Sequence, residues 1–114
     1  MVYIREAHPE DGWQVPQNER QGIKIKQPTT EKERTDVAHK ACTLLKITLP
    51  TLVDGMDDKV NKTYAAWPDR LYIVDKDGKI ALMGDPGPRG FKPSVDAAQS
   101  WLEKLARGDG AKAN

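Results

Sequence analysis

The sequence has a single cysteine, Cys42, among its 114 residues. One thiol cannot close a disulfide within the chain, run a two-cysteine redox cycle or build a cysteine metal site. Charge of one sign is never concentrated: Lys and Arg total 18 against 17 for Asp and Glu, a net charge of +1. The basic footprint that neutralises nucleic-acid phosphates is absent, so no nucleic-acid partner is expected. No apolar run approaches the roughly 20 residues of a spanning helix, so no membrane partner is expected either. The first ten residues reach charge at once and lack the apolar stretch of a secretory signal, which makes the cytoplasm the expected location. Asp54, Asp57 and Asp58 lack the alternation of a calcium loop and are assigned to turns and caps. No metal and no cofactor are expected.

What is present suits one small folded domain, 38% apolar and 31% charged,. Residues 1–107 are assigned to it and 108–114 to a flexible tail. Met1–Ala7 (MVYIREA) predicts a buried strand. His8–Gly22 predicts a long loop, and Ile23–Lys26 a short edge strand. Thr29–Lys46 predicts a helix opened by a Thr30/Glu33 capping box, with Val37, Ala38, Ala41, Cys42, Leu44 and Leu45 on its apolar face. Ile47–Val53 is extended, and a second helix capped by Asp57 runs to about Ala66. Trp67-Pro68 ends it. Arg70–Asp75 and Lys79–Gly84 form a hairpin around Lys76-Asp77-Gly78, whose Asp-Gly pair supplies the positive φ. Ser94 caps a last helix that presents Val95, Ala98, Trp101, Leu102 and Leu105. The order is α/β with an antiparallel hairpin and helix at its end.

Four blocks go further: VYIREAHPEDGW at 2–13, LPTLVDGMDDKVNKTYAAWPDRLYIVD at 49–75, DGKIALMG at 77–84 and GPRGF at 87–91. Over Val2 to about Leu105 the chain resembles the iodothyronine deiodinase family, and in detail its bacterial relatives more than the animal hormone enzymes. The resemblance implies a three-layer thioredoxin-like fold with a selenocysteine or cysteine at the start of its first core helix. The strand and helix that carry that residue would lie upstream of Met1, so the fold is expected to be partial. The family's polar shell falls on Tyr3, Glu6 and His8, with the histidine binding a substrate phenol and moving a proton. The family's cis-proline falls on Pro68. A second family histidine aligns with Pro28 and a substrate-gripping arginine with Pro86, which argues against thyroid hormones as substrates.

The candidate site is therefore Tyr3, Glu6 and His8 as catalytic groups, with Trp67, Pro68 and Arg70 binding substrate. Cys42 is the one redox candidate within the chain. It shares helical spacing with Ala38, Leu45 and Leu49 and is read in preference as an inert core thiol. Trp13 is read as pinning the long loop, Trp101 as core and His39 as solvated. The implied function is an oxidoreductase domain for reductive dehalogenation, or for thiol-dependent reduction of an aromatic or peroxide small molecule. It would need a thiol reductant and be inactive alone without its nucleophile. The alternative is a non-catalytic thioredoxin-like binding or interaction domain. An absent central strand would leave backbone edges open, so a strand-supplying partner or a homo-oligomer is expected.

Overall fold

The computed structural model describes residues 1–6 and 26–108. They fall into two compact units, residues 1–64 and 65–114. Both mix helix with strand, and each holds one two-stranded sheet. The class is α/β. The described residues do not assemble the single wide sheet of the expected three-layer plan.

In the first unit, β1 (Val2–Tyr3) pairs in parallel with β2 (Leu52–Val53), Val2 opposite Leu52 and Tyr3 opposite Val53. Leu52 N–H donates to Met1 O at 2.9 Å and Asp54 N–H to Tyr3 O at 2.8 Å, while the terminal ammonium donates to Pro50 O at 2.8 Å. The pairing is shorter than the strand read from Met1–Ala7, because the chain bends at Arg5.

Helix α1 (Glu31–Leu44) opens at Thr30, whose backbone is extended and whose hydroxyl accepts Glu33 N–H at 3.1 Å,. The return half of the expected capping box is altered. The Glu33 carboxylate reaches past Thr30 to take the backbone N–H and hydroxyl of Thr29, at 2.8 and 2.9 Å. The helix also stops before Lys46. Ile47 N–H donates to Cys42 O at 2.9 Å and Lys46 N–H to Thr43 O at 3.3 Å, with Lys46 at φ 54°. This is a Schellman stop with lysine where glycine is favoured. Leu44 and Leu45, assigned to the apolar face, are exposed at this end, and Ala38, 3% exposed, is the buried apolar residue of the unit.

Helix α2 is short (Lys59–Tyr64). Asp57 Oδ1 accepts Lys59 N–H at 3.2 Å as expected, but the stronger cap is Asp54. Ala65, at φ 46°, lies beyond its end, so the helix does not reach Ala66.

In the second unit, β3 (Tyr72–Val74) pairs antiparallel with β4 (Ile80–Met83), with a register shift between Ile73 and Val74. The connection runs through Lys76-Asp77-Gly78, as expected. Gly78 N–H donates to Asp75 O at 3.0 Å, Asp75 N–H to Lys79 O at 2.8 Å, and only Gly78 takes positive φ, +80°. That is a three-residue loop closed by a left-handed glycine. The Asp75 carboxylate holds it through Asp77 and Lys79 N–H.

Helix α3 (Phe91–Ala106) begins earlier than the Ser94 cap implied. Ser94 lies buried in its first turn, where its hydroxyl donates to Gly90 O at 2.6 Å and accepts Asp85 N–H at 2.9 Å. Ala98 is buried, whereas Val95, Leu102 and Leu105 are exposed and Trp101 is half-buried, so the stripe assigned to a core is mostly open. A two-stranded sheet is too narrow to cover such a stripe. Gly108 closes the helix at φ +74°, and the tail from 109 onward lies outside the described residues, as do the loop from His8 to Gly22 and most of the Ile23–Lys26 segment.

The left-handed lysine gives a direct test. Lys46→Gly should raise stability by about 0.5–1 kcal/mol, the relief of a left-handed side chain less glycine's entropic cost. It should read as a higher urea midpoint at unchanged slope, and a lower midpoint would contradict the helix-stop assignment.

Candidate functional site

The bend after β1 assembles the first polar group. Two residues three apart on a continuous strand point to opposite faces. Because the strand ends at Tyr3, its hydroxyl instead donates to Glu6 Oε1 at 2.7 Å. Gln27 Nε2 donates to the other oxygen, Oε2, at 3.1 Å. Burial, and then the Glu6 carboxylate, push the Tyr3 phenol well above its ordinary value, with Arg34 opposing,. Tyr3 is thus a fixed proton donor aimed at Glu6. His8 and Trp13 lie outside the described residues.

Beneath this pair lies a charged group that the sequence reading missed. Arg34 is 2% exposed. Its Nη1 donates to Gly55 O at 2.6 Å, makes a long contact with Asp54 O at 3.4 Å and pairs with Asp58 Oδ1 at 3.0 Å, while Nε has no partner. The Asp54 carboxylate, also buried, accepts three backbone N–H groups: Gly55 at 2.9 Å and Val60 at 3.0 Å on Oδ1, and Asn61 at 2.9 Å on Oδ2. Burial alone would raise its pKa. The N–H groups of Asn61, Val60 and Gly55, with Arg34, outweigh it and hold the carboxyl below its usual range. The sequence carries a faint signal for this tie: Arg34 stands one turn before Ala38 on the inward stripe, facing the acidic turn DGMDD,.

Cys42 lines an open groove of about 270 Å³ with Thr35, Ala38 and His39 of α1, floored by Ile47 and Val53. The thiol is half-buried, 3.9 Å from the Thr51 hydroxyl. His39 is exposed at the same groove.

The proposed substrate-binding residues belong to the second unit. The Trp67–Pro68 bond is cis, as the resemblance implied, and Gly87–Pro88 is cis as well. Trp67 is 44% exposed. Arg70 donates Nε to Gly84 O at 2.7 Å and Nη1 to Ala65 O at 3.3 Å, and its guanidinium lies 5.3 Å from the Tyr72 ring centroid,. Much of its donor capacity thus goes into the fold. Among the described residues no His, Cys, Asp and Glu group has metal-site geometry, and no helix is long and apolar enough to cross a membrane.

Comparison with known proteins places this arrangement. The iodothyronine deiodinase family profile matches residues 1–106. Type II iodothyronine deiodinase of Rattus norvegicus is 36% identical over 108 residues, covering 91% of this chain and 39% of that protein. The type II enzyme of Homo sapiens is 33% identical over 108 residues, covering 91% and 38%. Thyroxine 5-deiodinase of Sparus aurata is 33% identical over 111 residues, covering 95% and 38%. The chain belongs to the iodothyronine deiodinase family. It spans about two-fifths of the length of these relatives.

The Asp54 carboxylate makes pH a test of the first unit. Its pKa is depressed on folding, so the stability it provides is present above the ordinary carboxylate value of 3.8 and is lost as pH falls through the lower folded value,. Asp54→Asn should cost about 2 kcal/mol at neutral pH, the loss of charge-assisted bonds. It should also flatten the acid limb of the stability curve. An unchanged acid limb in thermal melts would contradict this assignment.

Proposed function

We propose that this chain forms the polar shell and substrate edge of a deiodinase-family oxidoreductase, in which a selenolate or thiolate on a preceding segment attacks. The supporting observation is the Tyr3–Glu6 hydrogen bond, backed by Gln27, within a chain of this family. In reductive dehalogenation a carbon–iodine bond becomes a carbon–hydrogen bond, and a thiol reductant supplies two electrons. The proton must come from the surroundings of the attacking atom. Glu6 orients the Tyr3 hydroxyl, and His8 binds a substrate phenol and passes the proton, as imidazole suits. Trp67 and Pro68 form the edge that receives an aromatic substrate. A bacterial, cytoplasmic relative reducing other aromatic halides or peroxides fits the prolines at positions 28 and 86.

A strand supplied from outside the described residues completes the site on this reading. Among those residues, β1 pairs only with β2 and β3 only with β4, which leaves each with an open edge,. The alternative is a non-catalytic thioredoxin-like binding or interaction domain.

Iodide release from an iodinated phenol in dithiothreitol tests the reading. The chain alone should be inactive. Joined downstream of a family strand–cysteine–helix segment, it should release iodide, and Glu6→Gln should lower that rate at least about tenfold, within the range for proton-transfer groups. Turnover by the chain alone that survives Cys42→Ser, or a joined protein indifferent to Glu6→Gln, would contradict it.

A further inference from the structure

A second carboxyl with an enclosed oxygen lies in the other unit, beside the proposed substrate edge and without a role in it. Asp69 follows Pro68, and its Oδ1 is fully enclosed with no hydrogen-bond donor. Burial raises this carboxyl above its usual range, with no neighbouring charge contributing,. The Gly84–Gly90 loop closes over it. Gly87 N–H donates to Asp69 O at 2.8 Å, and a Cβ built on Gly87 would overlap the Asp69 carboxyl, so the bare α-carbon lies against it. The ends of the loop are pinned. Gly84 O accepts Arg70 Nε, Asp85 N–H donates to Ser94 Oγ, and Gly90 N–H donates to Pro86 O at 3.1 Å. The loop therefore seals a chargeable oxygen at its middle while its ends are held independently.

The charged groups of the enclosing segments do not neutralise that oxygen. Arg70, adjacent in sequence, directs its guanidinium to Gly84 O, Ala65 O and the Tyr72 ring. Asp85 and Arg89 on the loop are exposed, and Lys92 of α3 pairs with Asp96 at 2.6 Å.

We propose that Asp69 is a proton-gated latch on the Gly84–Gly90 loop. Protonated, the neutral carboxyl rests against Gly87 and the loop stays down. Ionised, its enclosed oxygen carries charge that no donor meets, and the middle of the loop lifts to admit water,. The closed loop binds the proton more tightly than the open one, so rising pH favours opening through the interval above the ordinary aspartate value. The latch uses neither Tyr3 nor Glu6, which belong to the other unit, and its readouts do not depend on redox activity.

Nuclear magnetic resonance on the isotope-labelled chain, from about pH 4 to about pH 8, tests it. The Asp69 carboxyl carbon should titrate above the ordinary aspartate midpoint, and the Gly87 amide should shift with the same midpoint. Gly87 exchange, corrected for intrinsic base catalysis, should speed across it. Asp69→Asn should keep the loop down and abolish both responses. Gly87→Ala should open the loop at every pH and return Asp69 to ordinary titration. A Gly87 amide that ignores the Asp69 titration, a pH response retained in Asp69→Asn, or an unchanged Asp69 midpoint in Gly87→Ala would each overturn the proposal.

Discussion

Asp54 ties together every element of the first unit. Its N–H bonds β1 at Tyr3 O, its carbonyl faces the guanidinium of α1, and its carboxylate caps α2 with three N–H bonds. Arg34 completes the tie by reaching Gly55 and Asp58 from the inward face of α1. In a unit whose buried apolar residue is an alanine, directional polar bonds replace the packing that larger cores supply,. Such a centre specifies one arrangement, but it also concentrates risk. A buried charge that loses its partner costs far more than the pair contributes.

This tie carries the candidate site. Tyr3 is held through its carbonyl by Asp54 and through its phenol by Glu6, so the hydroxyl has little freedom to turn. Gln27, from the segment leading into α1, fixes the far oxygen of Glu6. A proton-handling pair of this kind needs fixed geometry more than it needs volume. The open groove along Cys42 is different in kind: its lining is largely apolar, and its thiol meets only the Thr51 hydroxyl.

Much of the local structure was legible because it follows from short-range chemistry. The Thr30 cap, the glycine in the Asp75–Lys79 loop and the second helix all come from a few adjacent residues, whereas the cis bond at Pro68 came from the family resemblance. Contacts across long sequence separations were not legible. Arg34 and Asp58 are 24 positions apart, and no local pattern says that a polar helix residue turns inward to meet a distant acidic turn. The left-handed stop at Lys46 carries no glycine to mark it in the sequence, and Ser94 passed for a cap because caps and buried first-turn serines look alike in sequence. The apolar stripes of α1 and α3 were correctly read as periodic. Whether a stripe is covered depends on what lies opposite, which periodicity does not contain. The Tyr3–Glu6 pairing was reached through family resemblance, and its geometry depends on a bend at Arg5 that a strand pattern conceals.

The most direct test of the central tie is amide hydrogen exchange on Arg34→Met beside the parent chain. Exchange should quicken across Gly55–Asn61 and at the Asp54 N–H that holds Tyr3, while amides in the middle of α1 keep their protection. Unchanged exchange over Gly55–Asn61 would show that the guanidinium is incidental and that the first unit is held by something else.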